Sequence, residues 1–239
     1  MSEIISSSCL YHVGQDIFEG KLVYQSHTSS PRPAVVMAPN WMGVTPNAVK
    51  QAEKIAAEGY VVLVADLYGQ DKRPASGDEA GELMLAVKDK PDEVDRMNAA
   101  LAALINQNEV AVAANKIAVI GFCFGGHCAL ELARSGADVK AAVSFHGTLD
   151  SSGLYEGNTI RSSLLVLDGA ADPLVPREQL SSFAKEMTAK QIDWQLISYA
   201  GAVHSFTDPT ANIEGVAQYN GEVSARAFKR MFDLFNEVI

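Results

Sequence analysis

Short runs of consecutive apolar residues alternate with amphipathic stretches along most of the chain, joined by loops that carry glycine and proline. An apolar run buried on both faces reads as a strand of a parallel sheet, and the amphipathic stretch after it as the helix that crosses back. Residues 33–38, 60–65, 116–121, 141–145, 163–167 and 194–199 predict strands of this kind. Helical spacing of Ala48, Val49, Ala52, Ile55 and Ala56 predicts a helix after a loop over 39–46. Further helices are expected over 94–105, over 126–134 with a stop at Gly136, and from Pro176 to near Ala189. A last one over 224–239 aligns Ala227, Phe228, Met231, Phe232 and Phe235. Asp66-Leu67-Tyr68-Gly69 opens a polar excursion containing Pro74, Gly77 and Gly81, for which the pattern gives no element. No linker, repeat or low-complexity tract interrupts the series. The expectation is one α/β domain over residues 1–239, a mostly parallel twisted sheet with helices on both faces.

Composition narrows the function classes. Of the 239 residues 48% are hydrophobic and 20% charged, enough apolar surface to offset chain entropy in a globule. The formal charge of -10 disfavours phosphate backbones and anionic lipid, so neither nucleic acid nor membrane is an expected partner. Residues 1–10 hold Glu3 and a serine run rather than a basic segment and an apolar stretch, so they do not read as a secretory signal. Cys9, Cys123 and Cys128 are an odd set in a long chain, which points to a reducing compartment, by default the cytoplasm. The histidines and cysteines lack zinc-ligand spacing, and no cofactor or metal is expected.

In open parallel sheets the reactive groups belong in loops beyond the carboxyl ends of strands. Gly121-Phe122-Cys123-Phe124-Gly125-Gly126 lies between a predicted strand and helix and fits the nucleophile elbow G-x-S-x-G with cysteine in the serine position. The turn forces Cys123 into a strained conformation, and small neighbours at Gly121 and Gly125 let the two backbones pass. A helix that starts there favours a thiolate and a developing oxyanion, with the Phe124 N–H as one donor. Asp172 follows the strand over 163–167 and His204 the strand over 194–199, so nucleophile, acid and histidine appear in the chain order of α/β hydrolases. Asp168 is the alternative acid. His146, just past a strand, is expected to line the cleft or to sit satisfied in the core. His12, His27, His127 and Cys128 are expected to be structural.

These pieces together, with Asp66-Leu67-Tyr68, Val175-Pro176 and Gly201-Ala202-Val203-His204-Ser205-Phe206, make the sequence resemble the dienelactone hydrolase family over nearly its whole length. The resemblance implies an α/β-hydrolase fold, a Cys-His-Asp triad and hydrolysis of a small ester or lactone through a thioester. It also implies a second oxyanion donor from the loop Ala38-Pro39-Asn40-Trp41-Met42-Gly43, the Trp41 N–H. Asn40, Met42, Tyr68, His146 and Phe206 become the expected substrate-binding positions. Two positions depart from the family pattern. Asn40 stands where well-studied members place a glutamate that takes the thiol proton, and an amide cannot do that. Thr207-Asp208 follows Phe206, and 77–88 holds no arginine, where dienelactone-cleaving members carry arginines for the substrate carboxylate. A neutral ester, lactone or thioester is therefore expected. A true dienelactone hydrolase (carboxymethylenebutenolidase) and a binding protein with lapsed chemistry are the alternatives, and a nucleotide-binding turn is disfavoured because the G-x-G-x-x-G spacing is absent. Oligomeric state is unreadable.

Overall fold

The computed structural model describes residues 3–26 and 30–239. His27 falls outside them. The first two strands, β1 (Ile4–Val13) and β2 (Asp16–Gln25), form an antiparallel hairpin whose two-residue turn includes Gly14 at φ 59°. They are followed by β3 (Arg32–Ala38), α1 (Pro46–Ala57), β4 (Val61–Val64), α2 (Gly77–Val87) and α3 (Pro91–Asn106). Then come β5 (Val112–Phe122), α4 (Phe124–Arg134), β6 (Ala141–Phe145), β7 (Ser163–Gly169), α5 (Arg177–Ala189) and β8 (Trp194–Tyr199). A two-stranded ribbon of β9 (Asn212–Ile213) and β10 (Ala217–Gln218) precedes α6 (Gly221–Val238).

The main sheet has the order β1-β2-β4-β3-β5-β6-β7-β8, parallel from β4 to β8. Every predicted strand is present. Alternate residues of one strand enter opposite cores. Ala34 and Val36 face Met97, Leu130 and Phe183 of α3, α4 and α5, whereas Val35 and Met37 face Ile55, Met231 and Phe235 of α1 and α6. Burial on both faces explains why these strands read as continuous apolar runs rather than as alternation.

Five elements escaped the pattern. β1, at the sheet edge, and β2 beside it are strands of mixed polarity, with the serine run at Ser6, Ser7 and Ser8 on β1. α2 lies inside the polar excursion and starts at the Ser76 N-cap, whose side chain accepts the Glu79 N–H. The β9–β10 ribbon is too short for any periodicity.

What positions the site is the reversal of strand order at β3, with β4 on one side and β5 on the other. The register runs from Ala38 through Gly121, Ser144 and Val166 to Leu196, so the carboxyl ends of five strands form one rim.

Candidate active site

Cys123 is the N-cap of α4, half-buried, at φ 56° and ψ −121°. A positive φ at a residue with a Cβ is strained, and it persists because the surroundings fix it. Those surroundings are glycines. A Cβ on Gly121 would overlap the Gly125 carbonyl, and one on Gly125 would overlap the Ala38 and Pro39 carbonyls. One on Gly126 would crowd the Ser144 Oγ at 2.5 Å. The β5–α4 turn therefore touches backbone on both sides, and the loop after β3 lies directly against it.

As the first residue of α4, Phe124 has an N–H with no acceptor inside the helix. In the facing loop, Asn40 accepts the Met42 N–H through Oδ1 (3.0 Å) and the Gly43 N–H through its carbonyl (2.9 Å). Both bonds bypass Trp41. The Trp41 carbonyl accepts the Tyr68 hydroxyl at 2.7 Å, and the Trp41 ring lies over Gly77 of α2. Burial, with Cys128 and Cys123 nearby, drives the Tyr68 hydroxyl far into the protonated form, so it stays a donor.

Asp172 and His204 approach from the loops after β7 and β8. Nδ1 of His204 is 2.8 Å from Asp172 Oδ2, and Asp172 Oδ1 accepts the Leu174 N–H at 2.8 Å. The ribbon holds the histidine loop: the His204 N–H donates to Val216 and the His204 carbonyl accepts from Gln218. Nε2 of His204 is buried and makes no hydrogen bond of normal geometry, yet the Cys123 side chain is close enough to act on the ring's titration. Burial favours the neutral ring, but Asp172 and Cys123 outweigh it and raise the imidazole to about 10. Asp168 is committed elsewhere, to Arg177 (2.7 and 3.0 Å) and the Ser198 hydroxyl (2.5 Å).

The remaining expected binding positions divide by burial. Asn40 and Met42 are half-buried at the rim. Tyr68, His146 and Phe206 are at most 3% exposed and form the layer behind it. Both ring nitrogens of His146 are engaged within the protein, so it does not present a free donor to a ligand. A cavity of about 20 Å³ behind this layer is lined by Asn40, Asn47, Gln51, His146, Thr207 and Asp208, room for one water.

Arg73 and Arg96 flank the excursion, and each is tied down, Arg73 to Asp66 and Gly69 and Arg96 to Leu67 and Asp92. Asp208 accepts from Asn47 and Thr210.

Sequence reasoning missed a charge cluster behind the elbow, gathered around the buried His127 and Glu93. His127 of α4 has Nε2 3.1 Å from Asp89 and 3.5 Å from Glu93, and Nδ1 3.5 Å from Asp150. Lys88 bridges Asp89 and Asp150 at 2.7 Å each. Asp89, His127 and Asp150 bring one potential metal-ligand atom each within 4.8 Å of one another, but the Lys88 ammonium already occupies the cation's place between the carboxylates. Four segments supply these residues, so no linear spacing marks them.

The model of the dienelactone hydrolase family matches residues 19–239. The chain belongs to that family. A solved dienelactone hydrolase-like promiscuous phosphotriesterase from metagenomic libraries superposes with a TM-score of 0.89, at 36% identity and covering 98% of each chain. Among curated relatives, a Bradyrhizobium protein named a probable 2-oxo-3-(5-oxofuran-2-ylidene)propanoate lactonase is 27% identical, covering 79% of each chain. A carboxymethylenebutenolidase homolog of Mus musculus is 26% identical, covering 67% of this chain and 64% of its own. As a member of this family the protein is an ester or lactone hydrolase with the α/β-hydrolase fold.

Proposed function

We propose that this dienelactone hydrolase family member cleaves small neutral esters or lactones through a thioester on Cys123. The observation that carries the reading is the half-buried Cys123 on its strained turn at the start of α4, with the His204–Asp172 pair beside it.

In the cycle, His204 takes the Cys123 proton and is held as imidazolium by Asp172. The thiolate attacks the carbonyl carbon, and the oxyanion is met by the Phe124 and Trp41 N–H groups. Each such donor contributes about 3 kcal/mol in other enzymes. Imidazolium then protonates the departing alkoxide, leaving an acyl-thioester. His204 next deprotonates water for attack on the thioester, and the acid leaves as the thiol is restored. With Asn40 in the glutamate position, the loop offers no carboxylate to take the thiol proton, so activation rests on His204 alone.

Neutral substrates are favoured because Arg73 and Arg96 are bound to the framework and Asp208 contributes negative charge near the rim. Neutral phosphotriesters are a second substrate class, supported by the 36% identity to the metagenomic phosphotriesterase. Residues 1–239 are taken as a single catalytic domain. The free thiols of Cys9, Cys123 and Cys128 support a reducing, cytoplasmic setting. No helix among the described residues is long and apolar enough to cross a membrane.

Lactones, esters, thioesters and phosphotriesters assayed on wild type and Cys123→Ala test the reading, with intact mass after rapid quenching. Expected are turnover of neutral substrates, a mass increase equal to the acyl group, and loss of both in Cys123→Ala. Undiminished turnover by Cys123→Ala would overturn it.

A further inference from the structure

His146 follows β6 directly, at φ 41°, and its N–H donates to Leu167 at 2.8 Å. Its ring reaches back under the elbow. The Cys123 N–H is shared between the Phe145 carbonyl at 3.0 Å and His146 Nδ1 at 3.2 Å. A nitrogen that accepts carries no proton, so the proton of a neutral ring resides on Nε2, which donates to Thr207 Oγ1 at 2.8 Å. The same ring stands edge-on to His204, centroids 5.1 Å apart and planes at 67°, and edge-on to Phe206 at 5.0 Å.

We propose that His146 is a positioning residue for the Cys123–His204 pair, a neutral Nε2–H imidazole that anchors the nucleophile's backbone and supports the base's ring. The role rests on the reading of Cys123 as nucleophile. Two requirements make the geometry informative. Cys123 is held at a φ that its Cβ disfavours, and its N–H is one of few groups through which the turn can be fastened. His204 must carry a positive charge during the cycle, so a neighbour 5.1 Å away has to stay neutral.

The surroundings of His146 satisfy that second requirement. Burial, then repulsion by His204, depresses its basicity far below the ordinary range. The charged or titratable groups near it are Cys123 on the turn, His204 after β8 and Asp208 across the small cavity, and the hydrogen bonds of His146 go to none of these side chains. Engaging the Cys123 N–H also removes it as an oxyanion donor, leaving that task to Phe124 and Trp41.

The test compares His146→Phe, which fills the ring volume without an acceptor, with His146→Asn, whose Oδ1 replaces Nδ1. On p-nitrophenyl acetate, His146→Phe is expected to lower kcat by about 10- to 100-fold with KM changed less than about threefold. It should also make Cys123 alkylation by iodoacetamide rise more steeply with pH. His146→Asn should recover kcat to within about fivefold of wild type. A wild-type kcat and alkylation profile in His146→Phe, or equal losses in both variants, overturns the role. Should His146→Phe not fold, 15N NMR of wild type decides. An unprotonated Nδ1 and protonated Nε2 that do not titrate between about pH 5 and about pH 9 support the role, and a protonated Nδ1 or a titrating ring overturns it. Ester turnover retained by Cys123→Ala overturns the nucleophile reading and this role with it. A fully active His146→Phe beside an inactive Cys123→Ala overturns the role alone.

Discussion

Cys123 and His204 are coupled through the titration of the ring. Nε2 of His204 has no partner of good geometry, yet Asp172 and the Cys123 sulfur raise the ring to about 10 against the pull of burial. A folded value above the ordinary 6.5 means that His204, once it has taken the Cys123 proton, is held as imidazolium through neutral pH and loses that hold only as pH passes about 10. At neutral pH, alkylation of Cys123 by iodoacetamide should be slower in His204→Ala than in wild type; equal rates would refute the pairing. Asp172 acts through the same ring. Its Oδ2 accepts at Nδ1, which leaves Nε2 to face the sulfur. Asp172→Asn keeps the shape but can stabilise the wrong tautomer, so kcat should fall by about 10³-fold or more with little loss of stability. Asp168→Asn weakens the pair with Arg177 and should lower Tm while costing kcat far less than Asp172→Asn does.

Among the elements, α4 carries two kinds of chemistry on successive turns. Its first residues serve the elbow, and His127, one turn on, is wholly buried against Asp89, Glu93 and Asp150. Burial opposes its charge, but Asp150, Asp89 and Glu93 prevail and raise it from 6.5 to about 9. The cluster pins the α2–α3 junction, where Asp89 sits at φ 60°, to the back of the elbow helix. Its contribution is complete below about pH 6.5 and disappears as pH rises through about 9, on the order of 3 kcal/mol. Urea unfolding of His127→Gln should show that deficit near pH 6 and little of it near pH 10. A deficit independent of pH would mean that His127 contributes packing alone. None of this was legible from the chain, because Lys88, Asp89, His127 and Asp150 converge only in three dimensions. The doubly buried strands announced themselves through apolar runs, and Gly121, Cys123 and Gly125 through a steric requirement of the turn. β1, β2, α2 and the ribbon carry their stability in pairing and caps, which leave little trace in hydrophobic period.

At the scale of the whole molecule, 29 acidic against 19 basic side chains surround a site whose nearby arginines are already bound. The net field around the site is therefore negative, and Asp208 adds to it from the small cavity beside His146. An anionic ester approaches against that field, while a neutral one does not feel it. Salt screens charges beyond about 8 Å at physiological ionic strength, so it should relieve the anion selectively. Raising salt from about 0.02 M to about 0.5 M is expected to increase kcat/KM for an anionic ester by about two- to fivefold. The value for an uncharged ester of the same size should change by less than about 1.5-fold. The pair of slopes separates the substrate classes independently of absolute rates. If the anionic substrate were instead the better one and slowed with salt, a cationic recognition group would have to face Cys123. Arg73 and Arg96 would then have to leave Asp66 and Leu67 on binding, and the preference for neutral substrates would fall.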